Sequence, residues 1–239
     1  MANDSMVVMA AVARKGGSGK SILVKSLASA ALAGNKSVLV IDTDPQRDVT
    51  RWFGRAKANG MAPATATLRT ADNTGELETL IHGAYEAGDV DFVVIDTAGV
   101  GGSWTDQIAM LADHLLTPVV ASVTDFEVGT QTVDWFKRLH DRVPDPSQLP
   151  PHHVVLTQFP ARPSKLETAL LQEAVKAFPL LNSVVQHRNA YREMDSQGFL
   201  GEIVRQLNAS ASPLQRSHAR RFQEALVEST YVLNDILAA

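Results

Sequence analysis

Arg14-Lys15-Gly16-Gly17-Ser18-Gly19-Lys20-Ser21 follows an apolar run, Met6 to Ala13, and opens onto a segment with helical spacing, Ser21 to Ala33. A glycine-rich turn between a strand and a helix lets backbone N–H groups point inward at phosphate oxygens, and the helix amino terminus adds its partial positive charge. Gly16, Gly17, Ser18 and Gly19 supply that cradle, Lys20 bridges terminal phosphates, and Ser21 offers a hydroxyl to Mg2+. The ordinary spacing wants a glycine five residues before Gly19; Arg14 stands there instead, and Lys15 is a second lysine. A turn that merely precedes a helix is the plain alternative. The lysine, the serine and the strand-loop-helix setting all count against it.

Outward from this loop, Val-, Ile- and Leu-rich runs recur at Ser37 to Ile41, Asp91 to Ile95, His114 to Ala121, His153 to Leu156 and Leu181 to Val185. Runs apolar on both faces suit parallel strands buried between helix layers. Helical spacing appears at Asp48 to Ala58, Gly75 to Glu86, Thr105 to Asp113, Phe126 to Asp141, Lys165 to Phe178 and Ala190 to Gln197. The alternation predicts an α/β fold of three layers, a mostly parallel twisted sheet with helices on both faces. The stretch 143–152, with four prolines, reads as a surface connection because strand-like sequence resumes at once. Pro213 sits at a helix-start position, and 213–239 reads as a terminal helical segment packed on the sheet. With 239 residues, 45% of them hydrophobic, the chain is expected to form a single domain, 1–239.

Composition narrows the chemistry. The absence of cysteine excludes disulfides, thiolate metal sites and Cys-ligated iron-sulfur clusters. No run approaches the roughly 18 apolar residues of a membrane span, and no basic segment leads into an apolar signal region. A cytoplasmic protein is expected. The net charge of -4 gives no global attraction to nucleic acid, so any DNA binding has to come from a local basic patch.

Two carboxylate groups fall where a phosphate site needs them. The run ending Val40-Ile41-Asp42-Thr43-Asp44-Pro45-Gln46 places acids at the carboxyl edge of a parallel strand, facing the ligand crevice. There they can hold a water of the Mg2+ shell and orient an attacking water. A helix cap or turn before proline is the other reading of Asp44. Asp91-Phe92-Val93-Val94-Ile95-Asp96 ends in an acid in the same way, and Asp96 is assigned to Mg2+ through water. Gly99, Gly101 and Gly102 give the segment behind it freedom to reorganise.

The Lys-Gly-Gly-x-Gly-Lys-Ser arrangement resembles the deviant Walker A loop of the ParA/MinD ATPases. The resemblance implies that Lys15 reaches across a homodimer interface to the partner subunit's nucleotide; a solvated loop lysine is the alternative. Asp42-x-Asp44-Pro45-Gln46 resembles the family's first switch, which makes Asp42 an Mg2+-shell carboxylate and Asp44 the residue most tied to hydrolysis, alongside Lys15 and Lys20. Adenine contacts map to Thr157, Gln158 and Pro160, with plain strand-end polar residues as the other reading. The implied cofactors are ATP and Mg2+, with slow turnover raised by a partner.

For DNA, the last third carries Arg188, Arg192, Arg205, Arg216, Arg220 and Arg221. Phosphate binding needs only several cations on one face, and Arg216 and Arg220 share a helix face. Ion pairs with Glu193, Glu202 or Glu224 are the competing use. The segment around Arg188-Asn189-Ala190-Tyr191 resembles small ParA proteins, which implies non-specific DNA binding, nucleoid association and plasmid partition with a ParB-like centromere-binding protein. Thr50-Arg51-Trp52 and the long terminal helix resemble the VirC-type ATPases of DNA transfer, which implies a relaxosome adaptor and a transfer origin. No extra amino-terminal helix-turn-helix is expected, since the first strand begins by Met6. Other P-loop classes fit less well. The tail from Gln223 has acids and no Lys or Arg, unlike a MinD-type membrane helix. Tyr231 stands alone where kinase relatives carry a cluster, and no constellation marks a metabolic ligase.

Overall fold

Strand β1 (Val7–Ala13) lies at the centre of the computed structural model, which describes residues 2–99 and 102–239. Gly101, one of the glycines of the segment behind Asp96, lies outside the described residues. Around β1 are β2 (Val38–Asp42), β3 (Ala66–Thr70), β4 (Phe92–Gly99), β5 (His114–Val120) and β6 (His152–Thr157). They form one sheet in the order β3-β2-β4-β1-β5-β6, every pair parallel. The helices are α1 (Lys20–Ala33), α2 (Asp48–Ala58), α3 (Thr74–Ala87), α4 (Ser103–Leu111), α5 (Val123–His140), α6 (Lys165–Ala177), α7 (Asn189–Gln197), α8 (Leu200–Ala209) and α9 (Pro213–Ala238).

The two faces of the central strands explain the layers. Met9, Ala11, Val40 and Val94 pack with residues of α1, α2, α7, α8 and α9. Val8, Ala10, Val12, Ile41 and Ile95 pack with α3, α4 and α5 on the other face. A strand buried on both sides must be apolar at successive positions, and β1 is. Val119, Val154 and Leu156 extend the second face beneath α5 and α6.

Four expectations are corrected. Ala66–Thr70 is an edge strand that the apolar runs did not reveal, because only Ala66 is buried and its neighbours are half-buried or exposed. Leu181 to Val185 is not a strand: it runs beside β6 through isolated bridges Val154 to Leu180 and Phe159 to Gln186, interrupted by Asn182 and Ser183. Leu200–Ala209 forms an additional helix, α8, between α7 and α9. The terminal helix packs chiefly against α1, α7 and α8, not on the sheet. With α8 supplying a partner, its apolar stripe, Phe222, Ala225, Val232 and Ile236, is buried among helices.

Candidate functional site

The glycine-rich loop occupies the turn between β1 and α1, with Lys20 as the first residue of the helix. Gly19 has φ +98°, and a Cβ there would stand 3.1 Å from Thr157 Oγ1. A side chain is therefore excluded both by conformation and by the strand beneath. Lys20 is 6% exposed, and its Nζ donates to the Lys15 carbonyl at 3.3 Å. Burial lowers its pKa, and the charges of Asp96 and Asp44 oppose that. The exposed Lys15 side chain makes no polar contact among the described residues.

Adjacent strands bring the acids together. Asp42, the last residue of β2, and Asp96, in the carboxyl half of β4, are register partners. Ser21 Oγ donates to Asp96 Oδ2 at 2.9 Å. Burial pushes the Asp96 carboxyl up to about 7, with the hydrogen bond from Ser21 acting against it and the charge of Asp42 adding to it. Asp42 is fully buried; its Oδ2 accepts from the Thr50 N–H at 2.9 Å and the Thr50 hydroxyl at 2.7 Å, and its Oδ1 from the Asp44 N–H at 3.1 Å. Asp44 is half-buried, and its carboxylate accepts from the Gln46 N–H at 2.8 Å, the turn geometry that its alternative reading anticipated.

Whether this set fits a magnesium-bound triphosphate is decided by its unsatisfied atoms. Asp96 Oδ1 and Ser18 Oγ are buried without a hydrogen-bond partner among the described residues. Buried polar atoms are nearly always paired, so two orphans at one phosphate loop mark a place where ligand groups complete the bonding. Among the described residues no group of three or more His, Asp or Glu could hold a metal alone. Mg2+ typically takes one or two carboxylates and completes its shell with phosphate and water, so Ser21, Asp42 and Asp96 suit it as a partial set.

Thr157 and Gln158 are placed differently from one another. Thr157 is fully buried, with Oγ1 3.5 Å from the Ser18 carbonyl, so it supports the loop from below. Gln158 is half-buried in the left-handed region, φ +52°, where β6 ends.

The arginines divide into engaged and open. Arg188 binds Glu224 at 2.7 Å and Glu228 at 2.7 Å, and Tyr191 OH donates to the same Glu228 at 3.1 Å. Arg220 pairs with Glu224 at 3.2 Å and Arg205 with Glu202. Arg216 donates to the Ser210 and Ala211 carbonyls ahead of its helix. Arg192 and Arg221 are exposed and hold no ion pair among the described residues. They stand on α7 and α9, which meet where His218 lies 3.3 Å from Glu193. Arg205 instead lines a separate hollow with Ser29 and Pro63.

Sequence reasoning gave no role to two residues that order the first switch. Thr50, noted only within a motif, fixes Asp42 with two bonds. Arg47, in the left-handed region with φ +53°, ties the Asp42 carbonyl to Asp72. A threonine eight residues after a strand-end aspartate, on the first helical turn, was the available signal for the former.

The VirC1 protein family matches residues 6–239. The chain is 23% identical over 217 residues to protein virC1 of Rhizobium radiobacter, covering 90% of each. It is 26% identical over 242 residues to maintenance of carboxysome distribution protein A of Halothiobacillus neapolitanus, covering 99% of each. The ATP complex of McdA from Cyanothece shares the fold, with a TM-score of 0.62 at 17% identity over 93% of this chain and 97% of that one.

Proposed function

This chain belongs to the VirC1 protein family, and on that premise we propose that it is an ATPase of the ParA/MinD type, a dimerising switch that works on DNA at a transfer origin. The observation that carries the reading is the cluster of Lys20, Ser21, Asp42 and Asp96, with two orphaned buried oxygens, at the carboxyl edge of a parallel sheet. A fold neighbour crystallised with ATP supports the substrate. Positioning of a cargo, plasmid partition with a ParB-like adaptor included, is the second reading. The relative named for carboxysome distribution favours it.

In this reading loop N–H groups and Lys20 neutralise the terminal phosphates, while Ser21, Asp42 and Asp96 would hold Mg2+, which supplies charge neutralisation there. Asp44 orients the attacking water. Lys15 crosses to the nucleotide of the partner subunit, so ATP holds the homodimer together. When the terminal phosphate leaves, Lys20 loses its counter-anion. Loss of that anion relaxes the switches and, with them, the dimer and its hold on non-specific DNA. An adaptor protein raises the rate.

The test is a pair of variants. Lys20→Ala abolishes ATP binding in calorimetry. Lys15→Ala binds ATP yet stays monomeric in light scattering, whereas wild type dimerises. Undiminished affinity in the first removes the phosphate-loop assignment, and an ATP-dependent dimer of the second removes the trans lysine.

A further inference from the structure

Beside the phosphate loop lies a cavity of about 640 Å³ that reaches Gly102 of the segment behind Asp96 and extends away from it along α5. Arg14, Arg138 and Arg142 line it, together with Trp135, Asp106 and Asp141. The acids do not cancel the arginines. Asp106 is spent: its Oδ1 accepts from Trp135 Nε1 at 2.8 Å and its Oδ2 from Arg142 Nη2 at 2.9 Å. Arg14 and Arg138 are exposed and hold no ion pair among the described residues, leaving Asp141 as the one acid on the wall that is not already bonded to an arginine of the cavity.

We propose that this cavity is the docking site for an acidic segment of a partner protein, whose carboxylates pair with Arg14 and Arg138. Guanidinium forks match carboxylates in two parallel bonds. The concave shape and size admit a few side chains. A duplex needs several cations on one face, and this wall offers two open ones, Arg14 and Arg138, beside Asp106 and Asp141. The position gives docking a consequence. Arg14 precedes Lys15, and its N–H donates to Thr132 Oγ1 of α5 at 3.3 Å. The segment that carries the trans lysine is thus fastened to the helix that forms the cavity wall. Occupancy at Arg14 and Arg138 bears directly on where Lys15 stands. That effect on turnover rests on the ATPase reading; the docking itself does not.

The experiment measures fluorescence anisotropy of a short fluorescein-labelled peptide of glutamate and glycine against the full chain. A lysine-glycine peptide serves as control. The acidic peptide is expected to bind saturably and to weaken with salt, while the basic one does not bind. Arg138→Glu, an exposed change, should weaken binding by at least about tenfold, with Arg138→Gln intermediate and basal ATP turnover unchanged in both. Equal binding by wild type and Arg138→Glu overturns the proposal, as does the absence of saturable binding. Displacement of the peptide by duplex DNA also overturns it, since the surface would then be a nucleic-acid site. A chain that binds the peptide but hydrolyses no ATP would refute the ATPase reading and leave the docking site standing.

Discussion

Asp96→Asn should make the nucleotide-free protein more stable while destroying its activity. The substitution keeps the size of the side chain and an oxygen to accept from Ser21, and removes only the charge. In the folded chain the carboxyl ionises at about 7 against an ordinary value of 3.8, chiefly because it is buried. Between about pH 4 and 7 the unfolded chain has released this proton and the folded chain still holds it, so folding stability falls as pH rises through that window. Above pH 7 the accumulated penalty is about 4 kcal/mol. The attraction of the buried Lys20 ammonium already acts against burial within that value. The gain from the asparagine is therefore at most ~4 kcal/mol at pH 8 and close to zero at pH 4.

Urea unfolding without nucleotide or Mg2+ reads this directly, as a higher midpoint at unchanged slope for the variant at pH 8 and coincident midpoints at pH 4. With Mg2+ and ATP the order should reverse, since ligand that binds only the native wild type adds stability the variant cannot gain. A variant no more stable than wild type at pH 8, or one whose advantage does not change with pH, would refute the claim that a buried unpaired charge is stored at this site.

Three further perturbations separate function from architecture. Charge reversal at Arg192 and Arg221 should abolish ATP-dependent gel shifts on non-specific duplex without affecting dimerisation, because these arginines are open. Arg188→Ala should instead lower stability by ~1 to 2 kcal/mol in denaturant melts, because it takes the guanidinium from the largely buried Glu228 and leaves Glu224 with Arg220 alone. Gly198→Ala should destabilise by ~3 kcal/mol or more in thermal unfolding. That glycine has φ +141°, and an added Cβ would lie 2.5 Å from Met61 Cβ and 2.9 Å from the Met61 carbonyl oxygen.

What could be read from the sequence depended on how local the physics was. The five apolar runs that became β1, β2, β4, β5 and β6 are buried on both faces, so each carries its own evidence. Edge strand β3 has one such face only, and its Ala66-Thr67-Leu68-Arg69-Thr70 reads as loop until β2 is there to pair with it. The loop was legible for the same local reason, since a strand, a turn and a helix next to one another fix where Lys20 and Ser21 stand; Asp42 and Asp96 could be read as strand-end acids, and the pairing of β2 with β4 brings them together.

The arginines were not legible, because the fate of a cation is settled by distant acids. Arg188 meets Glu224 and Glu228 across some forty residues of chain, through a helix pairing that sequence spacing does not encode. The same logic separates the two kinds of site on this molecule. A phosphate cage is built from backbone and first-turn residues and announces itself. A charged surface exists only as the remainder left after internal ion pairing. Of the six arginines that the sequence singled out for DNA, Arg192 and Arg221 stay without an internal partner among the described residues, and Arg14 and Arg138 are open at the cavity. A DNA face or partner face is built from such open cations, not from residues that merely look basic in the sequence.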